Sequence, residues 1–401
     1  MTTRRDRIVL ASVVFVVLLA QVLLYPGLDT LVAAFGGGAA LEGGMWFLAV
    51  EFAAFVAFAG VWGAASDATG RRVPFVVAGT IGGGVGYALL ALLPTVTTMP
   101  FWAVLVVRLF QGAATIGAFS LAMTMLMDLE GGHGRNMGAA GIAIGAGTAL
   151  GAPLGGQLYE VGTLVPVAAA SVLMFGVAVL ATVAIDEREG PVDDTESTIW
   201  RALAGVRDTP ILLVPYAFGF IDRLTAGFFA LVGTLYFREV FELSPGATGL
   251  MLALFFAPFA LLQYPFGVAS DRIGRTVPVV AGSVCYGVAI VAVGLAPTVQ
   301  LAGAAMVAVG VVGAMMSPAT MALVTDLARD TERGVAMAGF NIFGSTGFLA
   351  GILVGGTVAD RFGYEAAFLT AGGVEILLAA VTVPVFLRFR MRRETAVASS
   401  R

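Results

Sequence analysis

The 401-residue sequence predicts an all-α membrane protein: 12 transmembrane helices in two pseudo-symmetric six-helix bundles, both termini cytoplasmic. Three observations predict it. Hydrophobic residues make up 59% and charged residues 12% of the chain, whereas a soluble domain carries about a quarter of its residues as charges. Apolar stretches long enough to cross roughly 30 Å of hydrocarbon, about 20 residues each, recur along the whole length. One loop is also written twice: residues 63–72 read GAASDATGRR and residues 267–275 read GVASDRIGR, placing Asp67 and Asp271 half a chain apart.

The first span, 8–31, follows Arg4, Arg5 and Arg7. Such a start can open a secretory signal, but no small-residue cleavage site follows and the apolar run continues into Tyr25-Pro26. Spans 45–66, 74–94, 100–126, 136–158 and 164–185 complete an N-terminal bundle, residues 1–185. Residues 186–209, with Asp186, Glu187, Glu189, Pro191, Asp193, Asp194 and Glu196 and no apolar period, read as a cytoplasmic linker with a short amphipathic turn at Trp200–Val206. Spans 210–237, 247–269, 277–297, 301–325, 335–358 and 365–387 form the second bundle, residues 210–401, with a basic cytoplasmic tail. The halves stay in register through Pro74/Pro278, Met123/Met321, Asp128/Asp326, Arg135/Arg333 and Gly155-Gly156/Gly355-Gly356. Internal symmetry on this scale marks transporter folds made of parallel halves.

Every basic residue is arginine, and basic loops stay cytoplasmic. With the amino terminus inside, only Arg238 and Arg361 fall outside, while Arg108 and Arg223 lie within spans. A net charge of −4 excludes the basic footprint of a nucleic-acid binder. The single cysteine, Cys285, allows no intrachain disulfide and no cysteine metal site. Without lysine there is no Walker lysine, so no nucleotide is expected, nor any cofactor or metal, and energy must come from a gradient. His133, the only histidine, falls in the loop after span 4 and is expected to be solvated.

The loop after span 2 has the form Gly63-x-x-x-Asp67-x-x-Gly70-Arg71-Arg72, and its repeat holds Gly267, Asp271, Arg272, Gly274 and Arg275. Gly63 and Asp67 share a helix face; the glycine would let a neighbouring backbone approach, Gly70 would permit the turn, and the arginines would reach phosphates or carboxylates. Arg108, Gln111 and Gly112 lie in span 4. A buried arginine costs about 2.5–3.5 kcal/mol on insertion scales, so Arg108 should face a wet cavity or a carboxylate. Gly147, Gly151 and Gly155, and again Gly347, Gly351 and Gly355, recur at intervals of four, which makes a smooth groove for a packed helix; Pro153, beside Gly155-Gly156, removes a backbone hydrogen bond and permits a bend.

Four membrane carboxylates are coupling candidates alongside Arg108: Glu51, Asp222, Glu375 and Asp29. A carboxylic acid in a low-dielectric site keeps its proton more readily than one beside an arginine, which favours Glu51 and Glu375 over Asp222, the neighbour of Arg223. Each has a structural alternative: Asp29 as an interfacial group, Asp222 with Arg223 as a pair within span 7, Glu375 as a neutral group between helices. Gln21, Tyr25, Gln111, Arg223, Gln263, Tyr264 and Asn341 are candidates to line a central cavity, although tyrosines also belt the interface and amides also join helices.

The repeated loop, in the same topological place in both halves, closely resembles the hallmark of the major facilitator superfamily, and the resemblance covers residues 8–390. It implies that the loops latch the two halves on the cytoplasmic side. The first copy has Ala68 where the family usually has arginine, so the second, with Arg272, is expected to be the stronger latch. Arg108, Gln111 and Gly112 match the family's R-x-x-Q-G pattern, Tyr25-Pro26 resembles its helix 1 signature, and Gly151-Ala152-Pro153-Leu154-Gly155-Gly156 is similar to the exporters' G-P-x-x-G-G with the proline displaced by one. The resemblance implies a monomeric secondary transporter of the plasma membrane working by alternating access, an antiporter that couples protons to efflux of a small organic or amphiphilic compound. Proton-coupled uptake of a sugar or other metabolite is the alternative, though the spans are poor in Asn, Gln and Trp. A transporter-like receptor is the reading outside that class. An enzyme would want clustered His, Cys or paired acids at one membrane face, and none appears.

Overall fold

A computed structural model describes residues 2–130, 133–185, 207, 209–329 and 333–399, with 2–3, 133–134 and 385–399 described as backbone only. The described residues contain helices and no strand. In order they form α1 (Thr2–Val22), α2 (Leu28–Ala34), α3 (Ala40–Thr69), α4 (Val73–Val96), α5 (Phe101–Asp128), α6 (His133–Val161) and α7 (Val165–Ala184). After a 3-10 turn at Pro210–Leu212 come α8 (Leu213–Phe228), a π turn (Phe229–Gly233), α9 (Thr234–Glu239), α10 (Pro245–Ile273), α11 (Thr276–Gly294), α12 (Val299–Leu327) and α13 (Arg333–Ser399). The linker expected at 186–209 lies, but for Arg207 and Thr209, outside the described residues. His133 begins α6 rather than sitting in a loop.

Among the described residues, ten helical segments are long and apolar enough to cross a membrane. The stretch Pro210–Glu239 counts as one, running through its π turn. The segment Arg333–Pro384 also counts as one, although Gly363 (φ 85°, ψ 168°) breaks the helix within it. Helix α1 is not among the ten, because Arg4, Arg5, Asp6 and Arg7 belong to it. The first span, expected as one helix over 8–31, instead ends at Val22 and resumes at Leu28. Proline lacks an amide hydrogen and pushes the preceding residue out of helical geometry, so Tyr25-Pro26 fixes this break. The chain crosses it on tightened turns, Leu24 N donating to Gln21 O at 3.4 Å and Tyr25 N to Val22 O at 3.2 Å.

Helices before residue 185 pack among themselves, α1 on α5, α6 and α7 and α4 on α5 and α7; those after 210 do the same, α8 on α13, α10 and α11 on α12, and α11 on α13. The larger seams between the sets are α6 against α10 and α3 against α13, with α2 against α9 at one end. The glycine intervals set the close approaches. A methyl group on Gly147 or Gly155 would run into the backbone of α1 at Phe15 or Leu23; one on Gly347 or Gly351 would strike the carbonyl of Phe220 or Leu224 in α8. Gly355 meets the Phe228 ring, and Gly156 faces Pro245 O across the first seam. Helix α6 continues through Pro153 without interruption. Gly63 departs from expectation: no atom lies within 4 Å of where its side chain would begin, and Gly267 makes only ordinary contact with Pro318. These two glycines admit no neighbouring backbone.

Candidate functional site

Two fully buried charged groups of opposite sign meet where α3 and α5 cross. Arg108 and Glu51 form an ion pair in which both side chains are 0% exposed. Arg108 Nη1 also donates to Gln111 Oε1 at 2.6 Å, and Gln111 Nε2 donates to Thr115 Oγ1 at 2.9 Å. Residues 108, 111 and 115 stand three and four apart, on one face of α5. The guanidinium carbon lies 4.5 Å from the centre of the Phe47 ring and 5.7 Å from that of Tyr87, an arrangement in which the aromatic quadrupole favours the cation. The helices approach closely enough for this because Gly112 faces the backbone of Glu51.

Gln21 and Tyr25, at the α1 break, are buried beside the same pair. Four polar atoms around it, Glu51 Oε1, Arg108 Nε, Gln21 Nε2 and Tyr87 OH, are buried and make no hydrogen bond of normal geometry among the described residues. Buried polar groups are nearly always paired, so this cluster is incompletely satisfied and suits a centre that exchanges partners. Glu51, favoured from sequence as an acid without a cation beside it, is the carboxylate that faces Arg108. Glu375, in contrast, accepts from Ser283 Oγ at 2.6 Å. Asp222 is 7% exposed while Arg223 is exposed. Successive helical side chains do not face each other, and the two form no ion pair among the described residues. Gln263 is half-buried, Asn341 is exposed and Tyr264 is 82% exposed; none of the three joins the Arg108 cluster.

The ends of the helices carry a different pattern. Asp29 on α2 and Arg238 on α9 form a forked pair, Nε to Oδ1 at 3.0 Å and Nη2 to Oδ2 at 2.7 Å. Glu160 accepts from Gly246 N at 2.9 Å. Both contacts join the two helix sets at the end away from the repeated loops. At the loop end, Arg72 pairs with Asp128 and, at 3.7 Å, with Asp67. Arg275 pairs with Asp271 at 2.5 Å and with Asp326 at 3.3 Å. Gly70 (φ 64°) and Gly274 (φ 88°) make the turns in left-handed geometry. Each of these four pairs joins residues of one helix set. Arg275 makes the second copy's pairs, while Arg272 and Arg71 are exposed. The acids that sequence reasoning missed here, Asp128 and Asp326, carried a signal, since both recur in the repeat register.

Asp29→Asn is expected to loosen the end away from the repeated loops. Exposed ion pairs contribute about 1 kcal/mol or less, so the fold should persist. The distance distribution between spin labels at Ala33 and Val240 should broaden toward longer separations; an unchanged distribution would show that the pair holds nothing shut.

The model of the Major Facilitator Superfamily matches residues 10–221 and 216–401. An uncharacterized MFS-type transporter of Methanocaldococcus jannaschii is 30% identical over 167 residues, 41% of this chain and 42% of the relative. The multidrug efflux pump LfrA of Mycolicibacterium smegmatis is 30% identical over 185 residues, 46% of this chain and 34% of the pump. The chain thus matches well under half the length of these relatives. Among solved structures, the human organic anion transporter MFSD10 superposes with a TM-score of 0.71 at 20% identity, covering 94% of this chain and 99% of that one, a likeness of fold.

Proposed function

The chain belongs to the Major Facilitator Superfamily, and from that premise we propose that it is a secondary active transporter in which two six-helix bundles, residues 1–185 and 210–401, rock about a central site. Counting α1 and both limbs of α13 brings the spans to twelve, with both termini cytoplasmic and the chain a monomer in the plasma membrane. The observation that supports this reading is where the bundles are tied: among the described residues they meet through Asp29–Arg238 and Glu160–Gly246 at the end away from the repeated loops. Such ties hold that end shut, and breaking the Asp29–Arg238 pair loosens it.

The Arg108–Glu51 pair is the coupling centre. When a proton neutralises Glu51, Arg108 is left with a buried, unmatched charge, which drives rearrangement toward a new partner. Similarity to an efflux pump and the exporter-like glycines of α6 favour proton-coupled export of a small organic or amphiphilic compound. The test is counterflow and pH-driven transport in proteoliposomes across a panel of compounds, with wild type and Glu51→Gln. Glu51→Gln should lose pH-driven accumulation and retain counterflow. Solute movement indifferent to the pH gradient in wild type would remove proton coupling; movement of no compound at all would remove the transport reading.

A further inference from the structure

A second polar cluster lies within the later helices, away from Arg108. It gathers Asp222 and Thr225 from α8, Ser283 and Tyr286 from α11, Ser317 from α12 and Glu375 from the last limb of α13. All six are buried, and Thr225, Ser283, Tyr286 and Glu375 are 0% exposed. Ser283 Oγ holds one carboxylate oxygen of Glu375 at 2.6 Å. Among the described residues Tyr286 OH has no hydrogen-bond partner, and Thr225 faces the Glu375 carboxylate, whose Oε1 makes no hydrogen bond of normal geometry. The side chains converge from four helices, and each contributes oxygen and no nitrogen.

The charge count is equally specific. Two carboxylates, Asp222 and Glu375, face this space, and the charged group beside them is Arg223, on the exposed side of α8. With both carboxylates ionised, one positive charge is missing. A site with two carboxylates and one nearby arginine leaves room for a monovalent ion, not a divalent one. A proton on Glu375 would supply one O–H to one acceptor and leave the remaining oxygens as they are. A hard cation takes several oxygen ligands together.

We propose that Asp222, Thr225, Ser283, Tyr286, Ser317 and Glu375 form a binding site for one sodium ion, separate from the Arg108–Glu51 centre. The ion neutralises the surplus carboxylate and ties α8 to α11, α12 and the last limb of α13. A bundle so tied moves as one body.

Ligand that binds the native state alone stabilises it in proportion to its occupancy, so the readout is thermal unfolding of the purified full chain in detergent, titrated with NaCl against choline chloride at matched ionic strength. NaCl should raise the midpoint in a saturable manner and choline chloride should not. Tyr286→Phe, which removes a single oxygen, should shift the half-maximal sodium concentration upward by about tenfold, and Glu375→Gln should abolish the response. The double variant Arg108→Gln with Glu51→Gln should leave the sodium response intact, which separates this result from failure of the transport reading. Equal midpoints in the two salts, or a stabilisation that follows pH and not sodium, would overturn the proposal. So would an unchanged sodium response in Tyr286→Phe, a variant that keeps both carboxylates and the ring.

Discussion

Arg108→Ala is expected to abolish transport and to destabilise the protein by about 3–5 kcal/mol, whereas the double variant Arg108→Gln with Glu51→Gln should be close to wild type in stability and still inactive. Both groups of the pair are 0% exposed. Removing one partner strands the other charge where water cannot reach it, and that is the expensive change; replacing both with neutral side chains removes the burden together with the bond. The order of stabilities, double above single, therefore distinguishes a pair retained for its chemistry from one retained for strength. Arg108→Lys should not rescue transport. The guanidinium reaches Glu51 through one nitrogen and Gln111 through another while lying over Phe47, and an ammonium cannot reproduce that planar fork. Urea-dependent unfolding in detergent and pH-driven flux in proteoliposomes measure the two quantities. A double variant as unstable as Arg108→Ala would mean that the cost lies in lost packing, since the arginine stem itself fills space between α3 and α5.

Much of this arrangement was legible in the residues. Apolar length and the turn residues Gly70 and Gly274 act locally, so spans from α3 to α12 fall close to where the hydropathy puts them, and the glycines of α6 and α13 sit at the helix contacts that their spacing predicts. On α5 the face shared by Arg108, Gln111 and Thr115 follows from the helical period, as does the placing of Phe47 one turn before Glu51 on α3. What the period cannot supply is the partner across a helix crossing. Glu51 and Arg108 are 57 residues apart, and Tyr87, on a third helix, has no sequence mark at all. Asp222 and Arg223, adjacent in sequence, diverge on the helix and form no ion pair among the described residues, although Arg223 still acts on Asp222 through space. The break at Tyr25-Pro26 was present in the residues and outweighed by the apolar run around it. Whether the loop arginines meet acids of their own bundle or of the other is a matter of conformational state, which no local signal encodes.

Gly351→Val is expected to prevent α13 from docking on α8, with a loss of about 3 kcal/mol or more and little folded protein recovered. A Cβ on Gly351 would fall well inside 3.0 Å of the Leu224 carbonyl oxygen and close to Phe228 N, and one on Gly347 would meet the Phe220 carbonyl in the same way. The obstructing atoms are backbone, which cannot rotate aside as the tip of a side chain can, so relief requires the helices to separate. Separation would empty the contact over several turns, because Gly227 on α8 in turn faces the carbonyl of Phe348. Overpacking a fitted interior typically costs about 1–3 kcal/mol, and in a membrane, where packing rather than hydrophobic exclusion holds helices together, two interlocked glycine contacts place this site at the upper end. Gly351→Ala should show an intermediate loss. Gly373→Val on the last limb of α13 provides the control, since no atom lies within 4 Å of its Cβ position, and it should express and unfold like wild type. Fluorescence-detected gel filtration ranks the four proteins; equal monodisperse yields for Gly351→Val and Gly373→Val would show that α8 and α13 do not depend on this contact. The same steric logic applied to Gly155, whose Cβ would meet the Leu23 backbone at the α1 break, predicts a comparable defect in the first bundle, as expected if the two glycine series perform one packing role in duplicate.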